Sequence, residues 1–104
     1  MNEYSIVITT TGDKETAKTI SKLLVEQKLA ACVQMFPIES IYFWEDKVNE
    51  DNEIVLFIKS RTELFGKIQE LVLKNHPYKL PEIIQIPITD GLQDYLRWIG
   101  EYTK

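Results

Sequence analysis

The spacing of apolar side chains changes period several times along the chain, and each change marks an element. Residues 4–10 are dense in β-branched side chains (Ile6, Val7, Ile8, Thr9, Thr10), the composition of a buried strand. Thr11-Gly12-Asp13 reads as a turn, with Asp13 placed to accept from the free N–H groups of a helix's first turn. From residue 14 to about 28, Ala17, Ile20 and Leu24 recur at helical spacing while Lys18, Lys22 and Glu26 take the other side. A second strand over 29–37 carries Cys32, Val33, Met35 and Phe36; Pro37 has no N–H for a ladder and marks a bulge or bend. Residues 38–44 continue extended, and the polar stretches 45–47 and 48–52 form a hairpin tip. Residues 53–61 (Ile54, Val55, Leu56, Phe57, Ile58) predict a strand covered on both faces.

Thr62 then N-caps a second helix with the stripe Leu64, Ile68, Leu71 and Val72, ending near Lys74 ahead of Pro77. Residues 75–82 make a rigid connector, 83–88 a fourth strand interrupted by Pro87, 89–91 a turn, and 92–102 a short closing helix bearing Tyr95, Trp98, Ile99 and Tyr102. The order β-α-β-β-α-β plus a terminal helix predicts an α+β, ferredoxin-like sandwich. Its four-stranded sheet carries both long helices on one face, in a single domain over residues 1–104. The surplus lies in residues 37–44. A strand of this fold needs about five or six residues, and the second strand with its aromatic continuation is roughly twice that. Such a ribbon would project past the sheet and expose both unpaired backbone and apolar surface, which predicts a closed, strand-mediated oligomer. The alternative is a hairpin within one subunit, capped by the last helix.

Composition narrows the functional classes. An apolar share of 44% and a charged share of 27% fit a soluble globular protein. The net charge of −4, with lysines dispersed from Lys14 to Lys79, opposes a nucleic-acid phosphate backbone. A single cysteine, Cys32, rules out an intramolecular disulfide and fits a reducing compartment. The N-terminus lacks a basic, signal-like segment and no stretch nears the roughly 20 apolar residues that span a bilayer, so a cytoplasmic protein without a membrane partner is expected.

Ordered motifs then carry a resemblance. Leu29-Ala30-Ala31-Cys32-Val33, Ser40-Ile41-Tyr42-Phe43-Trp44-Glu45, Leu56-Phe57-Ile58-Lys59, His76-Pro77-Tyr78-Lys79-Leu80-Pro81-Glu82 and Tyr95-Leu96-Arg97-Trp98-Ile99 resemble, in order and spacing, the signatures of the CutA divalent-ion-tolerance family. The resemblance implies a homotrimer with strands pairing across subunits, similar in plan to PII signalling proteins, and a link to divalent metal tolerance, copper above all. Family members proposed to bind copper place a cysteine near the end of the first strand and paired histidines before Pro-Tyr. Here Thr9 and Asn75 stand in two of those places, and only His76 matches.

Taken as residues, His76 is a candidate metal ligand or proton carrier, with capping of the preceding helix as the plainer role. A metal site shared between subunits would join it to Glu82 or Glu39. Lys59, set in an apolar strand, is expected either to pair with Glu82, lining an intersubunit cleft for a small polar ligand, or to fix strand register. Trp44 and Tyr78 form an aromatic wall of that cleft or pack an interface. Cys32 reads as a small buried hydrophobe. The run Thr9-Thr10-Thr11 could hold an anion, though no glycine-rich loop accompanies it. No acid/base or nucleophile constellation is visible, so no enzyme is expected. Three roles follow: a metal-tolerance or metal-responsive protein, a PII-like sensor that binds a small polar ligand between subunits and signals to an unidentified protein partner, or a scaffold whose function is the trimer itself.

Overall fold

Strand alternation translates into two unlike faces of one sheet. The computed structural model describes residues 2–104. Its elements are β1 (Tyr4–Thr11), α1 (Lys14–Glu26), β2 (Cys32–Trp44), β3 (Lys47–Arg61), a 3-10 turn (Thr62–Leu64), α2 (Phe65–Asn75), β4 (Ile83–Pro87) and α3 (Gln93–Glu101). The sheet order is β2-β3-β1-β4 with every pairing antiparallel, the expected ferredoxin-like arrangement. On the face under the two long helices, Val7, Leu56 and Ile58 meet Ala17, Ile20 and Leu24 of α1 and Ile68 and Val72 of α2, all buried. Small hydroxyls share that face and mostly find partners within the chain, the buried Thr9 Oγ1 excepted. Ser60 Oγ donates to Leu29 O at 2.6 Å, Thr11 Oγ1 donates to Asp13 O at 2.7 Å, and Ser5 Oγ lies 2.6 Å from Thr62 Oγ1.

The helix ends show how local chemistry sets the elements. Asp13 caps α1 as expected, accepting from Thr16 N at 2.7 Å, and that bond leads the causes holding its carboxyl below the usual range. α1 ends at Glu26, and the chain turns away at Lys28, which takes φ 60°, while Leu29 N and Ala30 N return to Leu24 O. A lysine in this left-handed position costs about 1 kcal/mol relative to glycine, accepted in exchange for satisfied carbonyls. The cap expected at Thr62 does not form. Its hydroxyl is taken by Ser5, residues 62–64 make a 3-10 turn, and α2 starts at Phe65 without a side-chain cap bond.

The long hairpin also departs from expectation in its details. β2 and β3 pair without interruption from Cys32↔Lys59 to Trp44↔Lys47, so residues 48–52 belong to the strand and not to a tip. Glu45 and Asp46 alone make the turn, at φ 51° and 61°, the twist a two-residue hairpin loop requires. Pro37 sits in register opposite Ile54 with no bulge, because β2 is an edge strand where a missing N–H need break no ladder bond. β1 accompanies β3 only as far as Thr11↔Ile54, which leaves residues 38–53 as a two-stranded ribbon beyond the sheet. That ribbon stretches the molecule to 44 Å against 25 and 22 Å in the other directions. Coverage of β3 on its second face is partial: Val55 is buried, while Phe57, Lys59 and Arg61 are half-buried beside α3.

Candidate groove between the ribbon and the connector

Residues directly opposite each other in an antiparallel pair share a face. Ser40, Tyr42 and Trp44 therefore stand on the same side of the ribbon as Asp51, Asn49 and Lys47, and Glu53 joins them opposite Ile38. The connector that follows α2 runs past this side, and between the two lies a groove of about 900 Å³. Trp44, Tyr42, Asp51 and Glu53 line it from the ribbon, and Tyr78, Lys79 and Glu82 from the connector.

Two phenols bridge to carboxylates within it. Tyr42 donates to Asp51, one diagonal step across the hairpin, and that bond is the main cause of a raised Tyr42 pKa. Tyr78 donates to Glu53 at 3.0 Å, tying connector to ribbon. Partial burial first, then the Glu53 carboxylate, pushes the Tyr78 phenol up to about 12. Both phenols therefore remain donors at neutral pH. With Glu39, Asp51, Glu53 and Glu82 along the walls and Lys79 as the one lining cation among the described residues, the groove is acidic and aromatic.

His76 is held on both sides of its ring. Nε2 lies 2.6 Å from Thr10 O, and Tyr78 N donates to Nδ1 at 3.1 Å. A carbonyl only accepts and a backbone N–H only donates, so the ring is neutral with its proton on Nε2. His76 occupies the C-cap position of α2, but its ring does not bond the helix carbonyls; Asn75 Nδ2 instead donates back to Leu71 O at 2.8 Å. Among the described residues no three His, Cys, Asp or Glu side chains gather where they could hold a metal ion. The donors of one chain therefore do not fit copper, which wants several thiolate or imidazole ligands at one point.

The remaining candidates separate. Trp44, Tyr78 and Glu82 share the groove, as does Glu39. Lys59 does not meet Glu82 in its own chain; its Nζ donates to Tyr95 OH at 3.2 Å and lies 5.3 Å from that ring's centre. Cys32 sits across from Lys59 and is half-buried, not enclosed as expected. The threonine run does not gather its hydroxyls, since Thr9 and Thr11 are fully buried in the core while Thr10 lines the groove and offers its carbonyl to His76. Sequence reasoning missed Tyr42, Asp51 and Glu53. Centring the hairpin on Glu45-Asp46 would have found them, because register then fixes their common face. No helix among the described residues is long and apolar enough to cross a membrane.

Known proteins share this plan. The model of the family described as CutA1 divalent ion tolerance protein matches residues 5–102. A Thermus thermophilus protein named divalent-cation tolerance protein CutA is 46% identical over 99 residues, covering 94% of this chain and 96% of the relative. An Arabidopsis thaliana protein named Protein CutA, chloroplastic is 43% identical over 100 residues, covering 95% of this chain but 55% of the relative. The solved structure described as the periplasmic divalent cation tolerance protein CutA from Archaeoglobus fulgidus superposes with a TM-score of 0.95 at 39% identity, covering 97% of this chain and 99% of that one.

Proposed function

Because the chain belongs to the CutA1 divalent ion tolerance protein family, we propose that it acts in tolerance of divalent metal ions as a non-catalytic, cytoplasmic homotrimer. The ribbon is the observation that carries the assembly. Ile41, Phe43 and Val48 are 71%, 69% and 66% exposed on a projecting hairpin, more apolar surface than a lone subunit has means to cover. Edge strands at both sides of the sheet, β2 and β4, offer the backbone that a neighbour would pair with. Copper is the ion the resemblance points to. One chain lacks a donor set for it, so the role proposed is tolerance by the assembly and not tight capture by a subunit. The test is growth on graded copper of cells deleted for the gene. Lowered tolerance, restored by this chain, is expected; tolerance unchanged by deletion would overturn the reading.

A second reading draws on the groove itself. Trp44, Tyr78 and Glu82, joined by Lys59 from a neighbouring copy, would bind a small polar ligand in the manner of a PII-like sensor. Lys59 supports this, since among the described residues it has no carboxylate partner in its own chain. Thermal shifts with nucleotides or carboxylic metabolites, and none with metals, would favour this reading over the first.

A further inference from the structure

The one histidine of the sequence is the residue that family resemblance nominates for metal, yet its ring is committed to the fold. We propose that His76 is a positioning residue: it latches the connector to β1, thereby sets the Tyr78 wall of the groove, and is not a metal ligand.

Donation from Nε2–H to a backbone carbonyl does not decide the matter, because metal-bound histidines commonly make that bond with their far nitrogen. Nδ1 decides it. That nitrogen has one lone pair, already accepting from Tyr78 N–H at 3.1 Å. A cation there would meet a backbone hydrogen. Coordination through Nε2 instead would displace its proton from Thr10 O, a 2.6 Å bond joining residues 66 apart in sequence. Either mode undoes a link that the connector depends on.

What the latch positions is visible from three sides of Tyr78. The His76 and Tyr78 rings lie 4.6 Å apart between centres. The phenol reaches Glu53 on β3, 3.0 Å away. Beneath it runs Gly12, where an added Cβ would stand 3.0 Å from the Tyr78 hydroxyl. Tyr78 is thus seated on the bare backbone of the β1–α1 turn, with its own N–H pinned by the imidazole. Released from His76, the connector keeps the Glu53 bond as the one side-chain hydrogen bond holding this wall among the described residues.

The test uses the intact protein, in which every imidazole signal belongs to His76. Long-range proton–nitrogen spectra should show a protonated Nε2 and a bare Nδ1, unchanged when zinc chloride is added. A protonated Nδ1, or a zinc-dependent shift of either nitrogen, would overturn the proposal. His76→Ala should accelerate amide exchange at Tyr78 at least tenfold while amides of β1 and β3 away from the connector stay protected. His76→Gln, whose amide can still donate to Thr10 O, should restore part of that protection and carries the test if the alanine variant fails to fold. Exchange at Tyr78 unaffected by either variant would refute the latch. Calorimetric titration with copper or zinc should give the same result, within twofold, for wild type and His76→Gln; a tenfold loss in the variant would mean the imidazole is a ligand after all.

Discussion

Replacing Arg61 by alanine removes the guanidinium that joins the last helix to the sheet. Nη2 donates to Gly100 O at 2.7 Å, and Nε is shared between Thr103 Oγ1 at 3.2 Å and Thr103 O at 3.3 Å. All three acceptor atoms belong to buried residues, Gly100 and Thr103, at the negative end of α3, where a cation is favoured. Hydrogen bonds from a charged donor contribute about 1.5–3 kcal/mol each, and the forked Nε contact counts as one weak bond. Glu3, 3.8 Å away with its side chain 66% exposed, adds next to nothing. The expected loss is roughly 2–4 kcal/mol, a large share of the 5–15 kcal/mol typical of a domain. Arg97 is the internal control, since it also forms an ion pair on α3, with Asp94, but both side chains are mostly solvated. Arg97→Ala should cost below about 0.5 kcal/mol. The assay is urea unfolding at one fixed protein concentration, because association adds to apparent stability. Equal midpoints for the two variants would refute the reasoning that Arg61 docks α3.

Three further outcomes follow from the groove and ribbon. Gly12→Ala should shift the Tyr78 phenol by a few tenths of an ångström and strain its bond to Glu53, seen as a shift of the Tyr78 ring-carbon signals; an unmoved signal would contradict the contact. Tyr78 has a folded pKa raised from 10.0 to about 12, so the folded state holds its proton longer than the unfolded chain. Its stabilising contribution is whole below pH 10 and is lost as pH rises through about 12, so Tyr78→Phe should show a shallower alkaline decline in urea midpoint than wild type; parallel declines would argue against it. Phe43→Ser on the ribbon, losing about 1.5–3 kcal/mol of burial per copy if that face is covered, should raise the dissociation constant of the assembly at least tenfold; unchanged sedimentation would mean Phe43 stays in water.

Much of the fold was legible because a core imposes period on the residues that enter it. Ala17, Ile20 and Leu24 could be placed on one side of α1, and Val7, Leu56 and Ile58 on one side of the sheet, without coordinates. The far half of β3 was not legible for the same reason in reverse. Residues 47–52 run beside β2 with no core beneath them, so nothing selects apolar side chains at alternate positions. The turn gave no help either, since Glu45-Asp46 takes two positive φ angles without the Asn-Gly that usually announces them. Within one chain, Lys59 and His76 are held by contacts that span 36 and 66 residues, which sequence spacing does not reveal. Each is held by a partner that only the folded chain brings near, Tyr95 OH and Thr10 O.

Everything proposed for the assembly and its shared clefts rests on the ribbon of residues 38–53 finding cover on neighbouring copies. Sedimentation equilibrium at micromolar concentration tests that most directly. A species of three times the 12.2 kDa chain is expected, whereas a folded species sedimenting at 12.2 kDa would leave the ribbon bare and contradict the account.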